Sequence, residues 1–197
     1  MKPARPFVNC MHALQLDTRN ENPNDILSVH FRKPTSVQLK HILPACDQTD
    51  MYSGGAFEPD GRCIFLIPFN ASQCGWYDTT SNTLEPFGPS FPFGGGKWSG
   101  AAVSSVDGCI YSVPQRLLQV WRMLKIDPVR RSCEMVGGDV RRLVPDVEST
   151  AWEGTVAGAN GCIYGLPSKA RSVLCYDPRT QEISVFGELE DAGSLKV

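Results

Sequence analysis

The sequence predicts an all-β fold made of repeated four-stranded antiparallel units. Three observations carry that expectation. The stretch from Trp152 to Gly187 alternates short apolar runs with turn residues, and the same order of features stands from Trp98 to Gly137 and, more worn, from Tyr52 to Gly88. The 18 Gly and 15 Pro together exceed ordinary usage, which suits a chain dense in turns. Few stretches could hold a long helix, and Gln115 to Lys125, the best candidate, falls where the other copies place a loop and a third strand.

Within the Trp152 unit, Asn160-Gly161 between apolar runs predicts a hairpin with a type I′ turn, since both central residues of that turn take positive φ. Asp177-Pro178-Arg179-Thr180 puts Asp first and φ-locked Pro second, the pattern of a type I turn. The flanking runs Ser172 to Tyr176 and Ile183 to Phe186 become the third and fourth strands. The second copy repeats this grammar: Trp98, Gly100, Asp107-Gly108-Cys109-Ile110-Tyr111, Pro114, Asp127-Pro128 and Gly137 fall on Trp152, Gly154, Asn160-Gly161-Cys162-Ile163-Tyr164, Pro167, Asp177-Pro178 and Gly187. Tyr52, Gly54, Asp60-Gly61, Ile64-Phe65, Ile67-Pro68, Asp78-Thr79 and Phe87-Gly88 mark the first copy.

The steps from Tyr52 to Trp98 and from Trp98 to Trp152 are 46 and 54 residues. That period fits propeller blades of roughly 40 to 50 residues and excludes most other repeat architectures. The units resemble kelch-type and related β-propeller repeats, most closely at Cys175-Tyr176-Asp177-Pro178-Arg179-Thr180 and Gly161-Cys162-Ile163-Tyr164. Kelch repeats carry a Gly-Gly doublet where this chain has Leu166-Pro167 and Val113-Pro114. Streptogramin-lyase-like propellers share the Trp-x-Gly start and the Asp-Pro-x-Thr turn. The resemblance implies a β-propeller-type fold with three full blades, at about 51–92, 97–146 and 151–190. Residues 1–50 hold a partial blade, with His12 to Asn20 read as a third strand and its turn and Ile26 to Phe31 as a fourth strand, and 191–197 form a tail. Closed propellers have about 4 to 8 blades, so the chain is expected to be an incomplete or open one.

Net charge is −2, with 19 basic and 21 acidic residues, so no overall field draws in nucleic acid or an anionic membrane. No segment reaches the roughly 20 apolar residues of a membrane span, and the N-terminal residues lack a signal-peptide core. These features point to an intracellular chain, cytoplasmic or organellar, and make Asn70-Ala71-Ser72 an accidental glycosylation match. The 8 cysteines contain no Cys-x-x-Cys pair. Cys63, Cys109 and Cys162 recur near one place in the repeat, so they read as small buried residues rather than metal ligands or a disulfide framework. No metal and no cofactor are expected.

Few residues suggest chemistry. Gly94-Gly95-Gly96 is followed by Lys97 but by none of the P-loop pattern, and reads as a connector. All three histidines, His12, His30 and His41, precede the first full copy. Asp78, Asp127 and Asp177 sit at turn positions where folding explains them. Glu153 stands where the other copies have Ser53 and Ser99, the one carboxylate a catalytic reading would single out. Arg130-Arg131 and Arg141-Arg142, on a turn and on the insertion from Asp139 to Thr150, are either solvated or contacts for a protein partner. Trp98 and Trp152 either pack between blades or line a central ligand surface. The expected function is a non-catalytic protein-protein interaction module, an accessory or scaffold subunit. It would engage a protein partner or a second copy through open blade edges, which leave backbone groups unpaired. The alternative is a small-molecule-binding or lyase-type propeller enzyme.

Overall fold

The repeated turn grammar folds as twelve strands in three separate antiparallel sheets. A computed structural model of the chain describes residues 51–189, except 59–60, 93 and 148–149. The expected partial blade and the tail lie outside the described residues. Strands β1 (Tyr52–Phe57), β2 (Cys63–Pro68), β3 (Cys74–Asp78) and β4 (Thr83–Phe87) form the first sheet in chain order. The second contains β5 (Trp98–Val103), β6 (Ile110–Pro114), β7 (Met123–Asp127) and β8 (Ser132–Val136). The third contains β9 (Trp152–Ala157), β10 (Ile163–Pro167), β11 (Val173–Tyr176) and β12 (Ile183–Phe186). Each sheet is one blade, and the first strands β1, β5 and β9 lie beside one another.

Local side chains fix the turns. In the β3–β4, β7–β8 and β11–β12 connections, Asp78, Asp127 and Asp177 accept from backbone N–H groups two residues on, with Oδ1 at 2.7, 3.0 and 2.9 Å. The Asn160-Gly161 hairpin of blade 3 departs from the expected type I′ geometry. Of Asn160 and Gly161 only the glycine has positive φ, at +85°. Gly161 N–H donates to Gly158 O at 2.9 Å, and Asn160 Oδ1 accepts from Cys162 N–H at 3.2 Å. Asn160 can therefore keep an ordinary φ while its side chain closes the loop, and one left-handed residue is enough to return the strand. Gly61 and Gly108 also have positive φ, +74° and +70°.

Alternating side chains give every blade two apolar faces, called here leading and trailing. The trailing face of blade 1 (Ala56, Phe65, Ile67, Cys74) meets the leading face of blade 2 (Trp98, Ile110, Leu124, Ile126) in one core. The trailing face of blade 2 (Ala102, Tyr111, Val113, Met123) meets the leading face of blade 3 (Trp152, Ile163, Leu174, Tyr176) in another. Both tryptophans are fully buried, and their indole N–H groups donate to Arg122 O at 2.9 Å and Ser172 O at 2.8 Å. The packing alternative therefore describes Trp98 and Trp152: neither ring reaches a surface that a ligand or partner could touch. The insertion after β8 begins with a single 3-10 turn, Val140–Arg142, capped by Asp139.

Candidate functional site

The first strands approach each other too closely for side chains at one repeated position. Gly54, Gly100 and Gly154 have φ of +91°, +72° and +92°. A Cβ on Gly54 would lie 2.9 Å from Gly100 Cα, and one on Gly100 would lie 2.5 Å from Thr155 N. The third member breaks the series, because a Cβ on Gly154 would meet only Leu166 of its own blade. Blade 3 thus carries the cleft for a following strand without a following strand among the described residues.

The rest of that trailing face repeats the observation. Val156, Tyr164, Leu166, Val173 and Phe186 stand where blade 2 has Ala102, Tyr111, Val113, Met123 and Val136, all of which are buried. In blade 3 the same positions are open: Val156 is 44% exposed, Leu166 45% and Phe186 53%, with Tyr164 and Val173 half-buried. Tyr164 and Phe186 pack edge to face at 6.1 Å, so the surface is ordered as one patch. Cys162 and Cys175, both free and half-buried, border it. Burial raises the Cys175 pKa, and its neighbour Cys162 adds to the shift. Among the described residues, the third blade thus ends the stack with an open apolar sheet face.

The four arginines lie elsewhere, at the two ends of β8. Arg130 Nη1 pairs with Asp127 at 2.7 Å and remains largely exposed. Arg131 lies over the Trp76 ring of blade 1, 3.7 Å from its centroid. Arg141 is held by Asp139 at 2.6 Å and lies 4.3 Å from the Trp121 centroid. Arg142 is exposed. The structure therefore does not gather these side chains into one site, and Arg131 and Arg141 already serve cation–π contacts.

Two polar clusters complete the inventory. Lys97 is fully buried at the start of β5, its Nζ donating to Gly94 O at 2.6 Å and Asn70 O at 3.4 Å. Burial lowers its pKa. Gly94 of the glycine run thus supplies one of the two carbonyl acceptors, a use the sequence did not signal. Glu153, exposed on β9, accepts from Gln115 Nε2 at 3.0 Å and ties the start of blade 3 to the end of β6. Between blades 2 and 3, Asp107 sits in a partly buried network. Burial opposes its ionisation, but Lys125 at 3.0 Å, the Tyr111 hydroxyl at 2.9 Å and the Cys109 N–H hold its carboxyl at about 2. A cleft of about 470 Å³ opens between the insertion and the β10–β11 loop, lined by Val144, Asp146, Lys169 and Arg171 among others.

Neither a family model nor a curated protein matches the chain. Solved structures do. The structure of a streptogramin B lyase is 16% identical with a TM-score of 0.56, covering 74% of this chain and 44% of that one. A catalytically inactive virginiamycin B lyase from Staphylococcus aureus, with quinupristin, is 15% identical with a TM-score of 0.54, covering 72% and 43%. Hydrazine synthase of Kuenenia stuttgartiensis is 14% identical with a TM-score of 0.51, covering 78% and 40%. The chain thus spans less than half the length of each. Three stacked four-stranded blades, with these neighbours, give the chain a β-propeller-type fold.

Proposed function

We propose that the chain is a non-catalytic protein-interaction module, an accessory or scaffold subunit of a larger assembly, which docks protein on the trailing face of its third blade. The observation that carries this reading is the exposure of Val156, Leu166 and Phe186 at positions where Ala102, Val113 and Val136 of blade 2 are buried. A contiguous ordered apolar face of this kind marks an interaction surface. Tyr164 and Phe186 are the aromatic anchors that such interfaces favour. The exposed guanidinium groups of Arg130 and Arg142 belong to a separate surface and serve at most as polar rim contacts.

The experiment is the native size of the full chain in extracts of cells that express it, compared with a Leu166→Glu variant. A carboxylate in the middle of the patch costs several kcal/mol to bury unpaired. The expected result is a wild-type chain in an assembly larger than itself and a folded variant released from it. A wild-type chain that runs at its own 21.6 kDa mass in the extract would overturn the proposal.

A further inference from the structure

The two ends of the stack are complementary. Blade 1 presents on its leading face Tyr52, Ile64, Leu66, Tyr77 and Leu84, all half-buried, where the interior joints use Trp98, Ile110, Ser112, Ile126 and Cys133 of blade 2. Blade 3 presents the trailing set described above. Side-chain volume on the leading face is redistributed rather than lost: Gly75 stands where blades 2 and 3 have Leu124 and Leu174, and Leu66 stands where they have Ser112 and Gly165. The Tyr52 ring lies against Gly75 and occupies part of the space a leucine would fill. The cleft at Gly154 matches the one at Gly100, which receives the first strand of the following blade.

We infer that the occupant of the third blade's trailing face is the leading face of the first blade of a second copy of this chain, joined head to tail. This rests on the reading of that face as a protein-docking surface and names its partner. Such a contact pairs two different patches, so it must either close or propagate. The three described blades of two copies make six, within the range of about 4 to 8 over which propellers close. A closed pair leaves neither apolar end face exposed, which distinguishes it from a pair joined back to back through blade 3 alone.

The test uses the purified full chain, its mass measured by light scattering across micromolar concentrations, with Leu166→Glu blocking the trailing face and Leu66→Glu the leading face. Circular dichroism selects folded protein, and Leu166→Ser and Leu66→Ser replace any glutamate variant that fails to fold. The wild-type chain is expected to be a dimer and each variant alone a monomer. An equal mixture of the two variants is expected to recover a dimer, because each contributes one intact face. A wild-type monomer overturns the inference, as does a Leu66→Glu chain that still dimerises alone, which means a back-to-back joint. So does a mixture that stays monomeric. A purified monomer that enters a larger assembly in extract would overturn the second copy and leave the docking face standing.

Discussion

A methyl group on Gly100 has nowhere to go. Its φ of +72° is costly for any residue with a Cβ, and that atom would sit 2.5 Å from a backbone nitrogen of blade 3, which cannot rotate away. Left-handed strain of about 1 to 2 kcal/mol and overpacking of about 1 to 3 kcal/mol act together there. Gly108 has a similar φ, +70°, but open space around it. Gly100→Ala is therefore expected to lose roughly 2 to 5 kcal/mol of stability and Gly108→Ala only about 1 to 2 kcal/mol, read from urea unfolding. Equal losses would mean that the first strands do not approach as described. Asp107 gives a pH test at the same scale. Its folded pKa of about 2 lies below the roughly 3.9 of an unfolded aspartate. The unfolded chain therefore takes up the proton first, so the contribution is full above about pH 4 and fades as pH falls toward about 2. The stability gap between wild type and Asp107→Asn should shrink over that interval. A gap that stays constant would mean that Lys125 and Tyr111 do not hold the Asp107 carboxylate as described.

At the scale of elements, what was legible in the sequence was what local chemistry decides. The Asp-Pro turn predicted the β11–β12 connection, whose observed strands Val173–Tyr176 and Ile183–Phe186 nearly coincide with the expected runs. Gln115 to Lys125 contains no helix, and β7 begins at Met123 as the repeat demanded. The Asn160-Gly161 hairpin was placed correctly but given the wrong turn, because a dipeptide does not reveal that Asn160 bonds Cys162 instead of turning left-handed. Features that arise between blades left no local trace. The Trp-x-Gly pattern repeats visibly, yet its glycine is explained only by a neighbouring strand. Lys97 was read only as following a connector, and its buried ammonium donates to the carbonyl groups of Gly94 and Asn70. Arg131 was read from its place on a turn alone, which gave no hint that it lies over Trp76 of the preceding blade.

For the whole molecule, the sequence predicted three four-stranded blades, and the described residues contain them as a stack. Each blade has its own edges in any propeller, and a blade with no neighbour among the described residues shows a face. That face keeps the apolar residues and the glycine cleft of a buried joint, and its burial in an assembly is the central claim. Hydroxyl-radical footprinting of the wild-type chain at its assembling concentration tests it most directly, with buried Tyr111 and exposed Phe57 as internal references. Tyr164 and Phe186 are expected to oxidise slowly, near the Tyr111 rate, and to become several-fold faster in the folded Leu166→Glu variant. Rates near that of Phe57 in the wild-type chain, unchanged in the variant, would contradict it.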